Sequence, residues 1–203
     1  MDYQAYVKTF EEIINSKIPE PPYTDANYLN YAKLNYSRMN RWHKTLRLNE
    51  ELVAQLKNIN SIQKWIIIVE PWCGDAAPTL PFLMQLAEQS PLIQYDLQLR
   101  DQEPFLINSY LTNVSKSIPK LIVRSAAGND LFTCGPRPKA AQHLVNELKA
   151  NNVDYDTLNT QLQNWYNKDK GAELQTELLQ LFSECKFRFK CHNTFWAFER
   201  NPQ

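Results

Sequence analysis

The fold is decided by residues 65–81, WIIIVEPWCGDAAPTLP. The stretch begins with an apolar run rich in β-branched residues and stopped by Glu70-Pro71, which predicts a buried parallel strand. Asp75 and the residues after it then open a helix with apolar side chains at helical spacing. Cys73 therefore lies in a turn between a strand and a helix N-terminus. The free amides there carry partial positive charge and favour a thiolate, so we predict an exposed, nucleophilic Cys73 thiol.

Asp75 is predicted to cap this helix by accepting a hydrogen bond from the Ala77 amide, because Pro78 has no amide hydrogen to give. Its negative charge opposes ionisation of Cys73, whereas the helix end favours it. Each effect is about 1 kcal/mol at an exposed helix end, so the two nearly cancel. We therefore predict that the pKa of Cys73 lies only modestly below that of a free cysteine.

Composition indicates an ordinary globular protein, with 43% apolar and 22% charged residues. Its 22 basic residues balance 22 acidic ones, which disfavours nucleic acid or an anionic membrane as a partner. The first residues carry neither a basic region nor an apolar stretch, and no apolar run is long enough to cross a bilayer. With four cysteines, this predicts a cytoplasmic protein whose cysteines are free thiols, metal ligands or catalytic groups.

Apolar periodicity and turn residues predict the other elements. Helices are predicted over residues 2–16, from Asp25 or Asn27 to residue 39, 50–59 (capped by Asn49), 76–89, 104–111, 139–150, 155–166 and 172–183, and strands over 64–69, 93–99, 120–123 and 131–133. The order β-α-β-α-β-β-α predicts an α/β core at residues 61–150, with a mixed sheet covered by helices on both faces. Residues 1–60 and 151–203 are then N- and C-terminal helical extensions, and the segment 185–191 is an edge strand or loosely ordered.

Several motifs of this core resemble the thioredoxin family. The turn Trp72-Cys73-Gly74 after an apolar strand is similar to the active-site turn of that family, and Pro81 matches the proline that kinks its first long helix. Ser117-Ile118-Pro119-Lys120 resembles the segment with a cis-proline, and Gly135 resembles a glycine close to the active site. The resemblance implies a thioredoxin-like three-layer fold and a cis Pro119. It also implies a groove, lined by Trp72, Ile118 and Gly135, in which an extended peptide pairs with the Ile118 backbone.

The chain also departs from the family pattern. Ala76 stands where a typical thioredoxin has its second cysteine, and Ile67 aligns with the acid buried beneath the active site. Exchange through a dithiol needs a resolving thiol, which this turn lacks. The motif is similar to a bacterial subgroup of thioredoxin-like proteins with one active-site cysteine. The leading hypothesis for such a cysteine is that Cys73 attacks a disulfide, or is oxidised, and that a second thiol, from glutathione, another protein or Cys134, releases it.

The other cysteines are weaker candidates for chemistry. Cys134 is a candidate resolving cysteine because it precedes Gly135, but a disulfide to Cys73 needs Cα atoms within about 7 Å. Burial of Cys134 as a small apolar residue is the favoured interpretation. Cys185, Cys191 and His192 have a wider spacing than the usual zinc pairing and lack an evident fourth ligand, so no metal and no resident cofactor is expected.

Three functions remain open at this point. The first is thiol–disulfide exchange in cell redox homeostasis, with protein or low-molecular-weight thiols and disulfides as partners and glutathione as a candidate co-substrate. The second is a non-catalytic thioredoxin-fold module that uses its groove and helical extensions to hold a partner. The third is a glutathione-dependent monothiol glutaredoxin-like protein, which the Cys-Gly-Asp-Ala turn resembles, although residues used there to bind glutathione are not recognisable here.

Overall fold

The centre of the protein is a four-stranded mixed sheet. Its strands, in chain order, are β1 (Gln63–Val69), β2 (Ile93–Leu99), β3 (Lys120–Ser125) and β4 (Asp130–Cys134). They lie in the order β2-β1-β3-β4, with β1 parallel to β2, antiparallel to β3, and β3 antiparallel to β4. This is the mixed α/β sheet that the sequence predicts. The computed structural model describes the backbone of residues 1–198 and the side chains of residues 1–185.

Helices precede, cover and follow the sheet. The α-helices of the described residues are α1 (Tyr3–Asn15), α2 (Ala26–Thr45), α3 (Glu50–Lys57), α4 (Ala76–Ala87), α5 (Lys139–Ala150), α6 (Tyr155–Asp169) and α7 (Ala172–Phe198). Asp25 and Asn49 cap α2 and α3, because their side chains accept hydrogen bonds from the Asn27 and Leu52 amides. None of the helices described is both long and apolar enough to cross a membrane.

Two predicted elements differ from the structure. The helix predicted over residues 104–111 is a single 3-10 turn, Leu106–Ser109, which follows Phe105 in the left-handed region at φ 51°. The segment 185–191 belongs to the long helix α7, so the predicted edge strand or loose tail is wrong. Alternation of basic and aromatic residues suits a strand, but continuation of α7 satisfies the same backbone groups within the helix.

The core explains the sequence of β1. Residues 65–69 of this central strand are all buried, as expected for a strand covered on both faces. Phe182 of α7 contacts the rings of Trp65 and Phe132, with centroids 5.8 and 4.8 Å away. Tyr6 of α1, Trp42 of α2 and Leu52 of α3 belong to the same hydrophobic core. Helices α1, α2, α3 and α7 therefore pack into this core, whereas α6 packs against α5 in a second cluster. The predicted boundaries at residues 60 and 150 stay predictions.

Candidate active site

The turn between β1 and α4 meets the segment before β3 at the Cys73 sulfur. The Cys73 amide donates to the Glu70 carbonyl at 3.0 Å, which closes the turn, and Sγ donates to the Ile118 carbonyl at 3.4 Å. The Ile118–Pro119 bond is cis. Gly135, at φ 101°, lies so close that an added Cβ would be 2.3 Å from the Pro119 oxygen. The Cys73 turn, the cis-proline segment and Gly135, three of the motifs on which the family resemblance depends, therefore lie together.

Cys73 is buried rather than exposed. Its side chain retains 6% of its accessible surface, which contradicts the predicted exposed thiol. The pKa of Cys73 is raised to about 12, mainly by burial and secondly by the charge of Asp75. Hydrogen bonds from the Ala76 and Asp75 amides and the charge of Arg137 act in the opposite direction. The prediction of a slightly acidic thiol is therefore wrong, because desolvation exceeds the effect of the helix end.

Asp75 does not cap α4. Its backbone is helical, at φ −82° and ψ −27°, and its side chain makes no capping hydrogen bond, whereas a capping residue usually has extended backbone. The buried carboxylate instead pairs with Arg137 through Oδ2 at 2.7 Å and accepts a hydrogen bond from the Tyr166 hydroxyl at 2.9 Å. The predicted cap is wrong because a charged partner after β4 and a phenol on α6 hold this carboxylate.

Two helices outside the central unit hold the backbone of the turn. Asn35 of α2, which is fully buried, donates from Nδ2 to the Pro71 carbonyl at 3.1 Å. Gln163 of α6 donates from Nε2 to the Gly74 carbonyl at 3.1 Å. Carbonyls on both sides of the Trp72-Cys73 pair are therefore fixed by side chains of the extensions. These contacts, with that between Tyr166 and Asp75, hold α2 and α6 against the turn that carries the buried Cys73.

A cleft of about 870 Å³ opens beside Cys73. Trp72, Cys73, Gly74, Asp75 and Ile118 lie on its wall, together with residues of α2, α5 and α6 and the segment 115–117. Trp72 is half-buried between the Tyr28 ring, whose centroid is 5.6 Å away, and the Arg100 guanidinium, 4.6 Å from the ring centre. Pro136 lines the cleft, whereas Gly135, predicted to line the groove, and Pro119 are not part of its wall. The thiol is thus buried by its neighbours but adjoins a space of ligand size.

Cys134 occupies a different environment. It ends β4 opposite Leu121, is also buried, and is not among the residues that line the cleft. The pKa of Cys134 is raised to about 12, mainly by burial and secondly by the charge of Glu177. Cys73 and Cys134 are both free thiols. A role of Cys134 in resolving a mixed disulfide stays a prediction.

Glu70, which follows the last residue of β1, is a further titratable group close to Cys73. Its side chain is 6% exposed, and Oε1 accepts a hydrogen bond from the Asp101 amide at 3.0 Å. Burial raises the pKa of Glu70 to about 7, against the effect of that hydrogen bond. A carboxyl that titrates near neutral pH therefore lies three residues before Cys73, while its carbonyl accepts the Cys73 amide hydrogen.

Sequence reasoning missed Asn35, Gln163, Arg137 and Tyr166 as residues of the site. A signal existed for one helix, because Tyr28, Tyr31, Asn35 and Arg38 recur at helical spacing and all but Asn35 line the cleft. Within residues 1–185 no cluster of three metal-binding side chains occurs. The side chains of Cys191 and His192, considered above as ligands, lie outside the described residues.

Comparisons with known proteins bear on the family and the fold of the chain. A family model described as Thioredoxin matches residues 22–149, well over half of the chain and including α2. An HIV epitope-scaffold has a similar structure, with 17% identity and a TM-score of 0.53 over 76% of this chain and 90% of that one. A protein of unknown function from Pseudomonas aeruginosa is 18% identical over 84% of this chain and 92% of that one, with a TM-score of 0.46. No curated protein matches the sequence.

Proposed function

Because the chain belongs to the thioredoxin family, we propose that it carries out thiol–disulfide exchange at Cys73. The observation that supports this most is the place of the sulfur, on the wall of the cleft and 3.4 Å from the Ile118 carbonyl. No other cysteine with a described side chain lines that cleft. A disulfide that enters the cleft therefore meets Cys73 first.

Exchange at a single thiol takes two balanced steps. The Cys73 thiolate attacks one sulfur of the substrate disulfide, so that a new sulfur–sulfur bond forms while the substrate bond breaks, and the leaving thiolate takes a proton. An external thiolate, from glutathione or a protein, then attacks the mixed disulfide and displaces Cys73. Cys73 returns unchanged, and one partner of the substrate disulfide has been replaced by another.

The proton on Cys73 limits the first step. With a pKa of about 12, the thiol is almost fully protonated at neutral pH, and the thiolate is the nucleophile. The Asp75 and Ala76 amides and Arg137 favour the thiolate once the proton has left. We therefore expect the rate of attack to rise about tenfold for each pH unit below the pKa, because the thiolate fraction does so.

A disulfide-reduction assay with glutathione or dithiothreitol as reductant tests this proposal. The wild-type protein is compared with Cys73→Ser and with Cys134→Ser, a matched change of the other buried thiol. Activity that is lost in Cys73→Ser and kept in Cys134→Ser supports exchange at Cys73 with an external resolving thiol. Loss in both variants supports exchange with Cys134 as the resolving thiol. Equal activity of the wild type and Cys73→Ser overturns the proposal.

A second candidate, a non-catalytic binding module, is favoured by the burial of Cys73 and its raised pKa. In this case the cleft holds a partner and the thiol is a small apolar wall residue. Absence of turnover by the wild type with either reductant, up to pH 9, supports the module. Turnover with glutathione but not with dithiothreitol instead supports the glutaredoxin-like alternative.

A further inference from the structure

One face of α2 is built into the cleft. Tyr28 packs against Trp72, the Tyr31 hydroxyl accepts a hydrogen bond from Asn159, and Asn35 holds the Pro71 carbonyl. Arg38 comes next at the same helical spacing and also lines the cleft. Tyr28, Tyr31 and Asn35 thus each contact a residue outside α2. The question is what the guanidinium of Arg38 binds.

Arg38 differs from the other two arginines that line the cleft, Arg100 and Arg137. Arg100 donates to both carboxylate oxygens of Asp101, at 2.8 and 2.6 Å. Arg137 pairs with Asp75 at 2.7 Å. Among the described residues, Arg38 takes part in no ion pair and donates a single hydrogen bond, to the neutral Asn35 Oδ1 at 3.1 Å.

Arg38 is half-buried, and partial burial penalises its charge, which no counter-ion among the described residues offsets. Burial, followed by the charge of Arg41, lowers the pKa of Arg38, but a guanidinium stays protonated at any physiological pH. Four of its five donor hydrogens have no described protein partner. Their planar arrangement matches the two oxygens of a carboxylate.

We propose that Arg38 is a substrate-binding residue that holds a carboxylate, and that Cys73 therefore acts on carboxylate-bearing disulfides. This inference rests on the proposed exchange at Cys73. The cleft volume of about 870 Å³ lies within the range of about 300–1,000 Å³ typical of small-molecule sites. The substrate class is thus a low-molecular-weight disulfide with at least one carboxylate.

The acidic residues that line the cleft do not neutralise the positive charge that Arg38 offers to a carboxylate. Asp25 and Asp154 cap α2 and α6, accepting amide hydrogen bonds at 2.7 and 2.9 Å, and Asp156 lies in the first turn of α6. Their charges are therefore opposed by helix N-termini, where negative charge is stabilised. Lys116 and Lys149 add two further cations to the lining.

Arg38 is also connected to the reacting turn. Its Nη1 donates to Asn35 Oδ1, and the same amide donates to the Pro71 carbonyl, both at 3.1 Å. Two hydrogen bonds therefore join the guanidinium to the residue before Trp72. A carboxylate bound to Arg38 would lie at one end of this pair of hydrogen bonds, while the disulfide of the same molecule reaches Cys73 across the cleft.

The test compares two disulfides of nearly the same size, 3,3′-dithiodipropionate and its neutral diamide. For each disulfide, the rate of mixed-disulfide formation at Cys73 is divided by the rate at which the same disulfide reacts with free dithiothreitol. This ratio removes the difference in intrinsic reactivity between the two disulfides. We expect the wild type to prefer the dianion by about tenfold or more, the effect of one charge-assisted hydrogen-bond pair. The preference should disappear in Arg38→Gln, return in part in Arg38→Lys, and persist in Lys33→Gln, an equal charge change on the exposed face of α2.

A binding measurement separates this inference from the exchange itself. Calorimetry with dithiodipropionate on Cys73→Ser, which cannot exchange, should show binding that is lost in Cys73→Ser/Arg38→Gln. Such binding without turnover by the wild type supports the carboxylate site and overturns exchange. Turnover with equal normalised rates for the dianion and the diamide supports exchange and overturns the carboxylate site.

Discussion

Cys73 and Cys134 are alike in burial and in acidity. They retain 6% and 8% of their accessible surface, and burial raises the pKa of each to about 12. They differ in what surrounds them. Cys73 adjoins a cleft, faces the Ile118 carbonyl and lies at the amides that open α4, whereas Cys134 ends β4 and does not line that cleft. Since burial and pKa are alike in the two thiols, the reactivity that we propose for Cys73 has to come from its surroundings and not from its acidity.

The turn that carries Cys73 is also held by side chains from two helices that are distant in sequence. Asn35, Gln163 and Tyr166 reach the turn from α2 and α6. At Cys134 the nearby charges are those of Glu177, Lys120 and Lys139. A polar frame that holds backbone carbonyls and one carboxylate keeps the turn in one geometry, which exchange chemistry requires. This difference between the two thiols leads to three predictions.

The largest effect is expected at Gly135, which follows Cys134 and touches the segment that faces Cys73. A Cβ there meets the Pro119 oxygen at 2.3 Å, at a φ of 101°. Gly135→Ala should therefore lower the free energy of unfolding by about 3 kcal/mol or more, since backbone on both sides must move. Gly128→Ala, also at positive φ but with no atom within 4 Å, is the matched control and should cost about 1–2 kcal/mol. If urea unfolding shows that the two variants lose the same free energy of unfolding, the close contact between Gly135 and Pro119 does not hold the Cys134 strand against the segment that faces Cys73.

The second prediction concerns Glu70, a buried carboxyl beside Cys73 whose carbonyl accepts the Cys73 amide hydrogen. Its pKa is raised from 4.5 to about 7, so the folded state holds this proton more tightly than the unfolded state. Raising the pH from 4.5 through 7 should therefore destabilise the wild type, by about 3 kcal/mol in total. Glu70→Gln keeps an oxygen for the Asp101 amide and removes the titration. Its stability relative to the wild type should increase between pH 4.5 and pH 8 in urea unfolding, and a constant difference would contradict the assignment.

The smallest effect concerns Asp75, whose charge raises the pKa of Cys73 and is not among the charges that act on Cys134. Asp75→Asn removes that charge and leaves Arg137 to favour the thiolate. Alkylation of Cys73 by iodoacetamide at pH 8 should become about tenfold faster, which corresponds to one pKa unit. Cys134 is the internal control and should react at an unchanged rate. Acceleration at both thiols would indicate general loosening of the fold.

Much of the fold could be predicted because its signals are local. The apolar run of β1, the caps Asp25 and Asn49, and the alternation in β2 depend on neighbouring residues only. The prediction for residues 185–191 is wrong for the same reason, since a local alternation of basic and aromatic residues does not reveal that α7 continues through this segment.

The surroundings of Cys73 could not be predicted, because they depend on contacts between distant residues. Asn35 lies 36 residues before Pro71, and Gln163 lies 89 residues after Gly74. No spacing within the turn indicates that these amides cover it, or that Asp75 finds Arg137 and leaves the helix end uncapped. Burial, and with it the pKa of the thiol, is decided by this tertiary packing.

The central claim is that Cys73 is the thiol that attacks a disulfide in the cleft. The most direct measurement is mass-spectrometric mapping of the mixed disulfide formed when the full chain is incubated with dithiodipropionate at pH 8 without a reductant. The account predicts early modification on the peptide that contains Cys73, ahead of the other three cysteines. Modification of Cys134 at the same rate, or an unmodified Cys73 after the others have reacted, would contradict it.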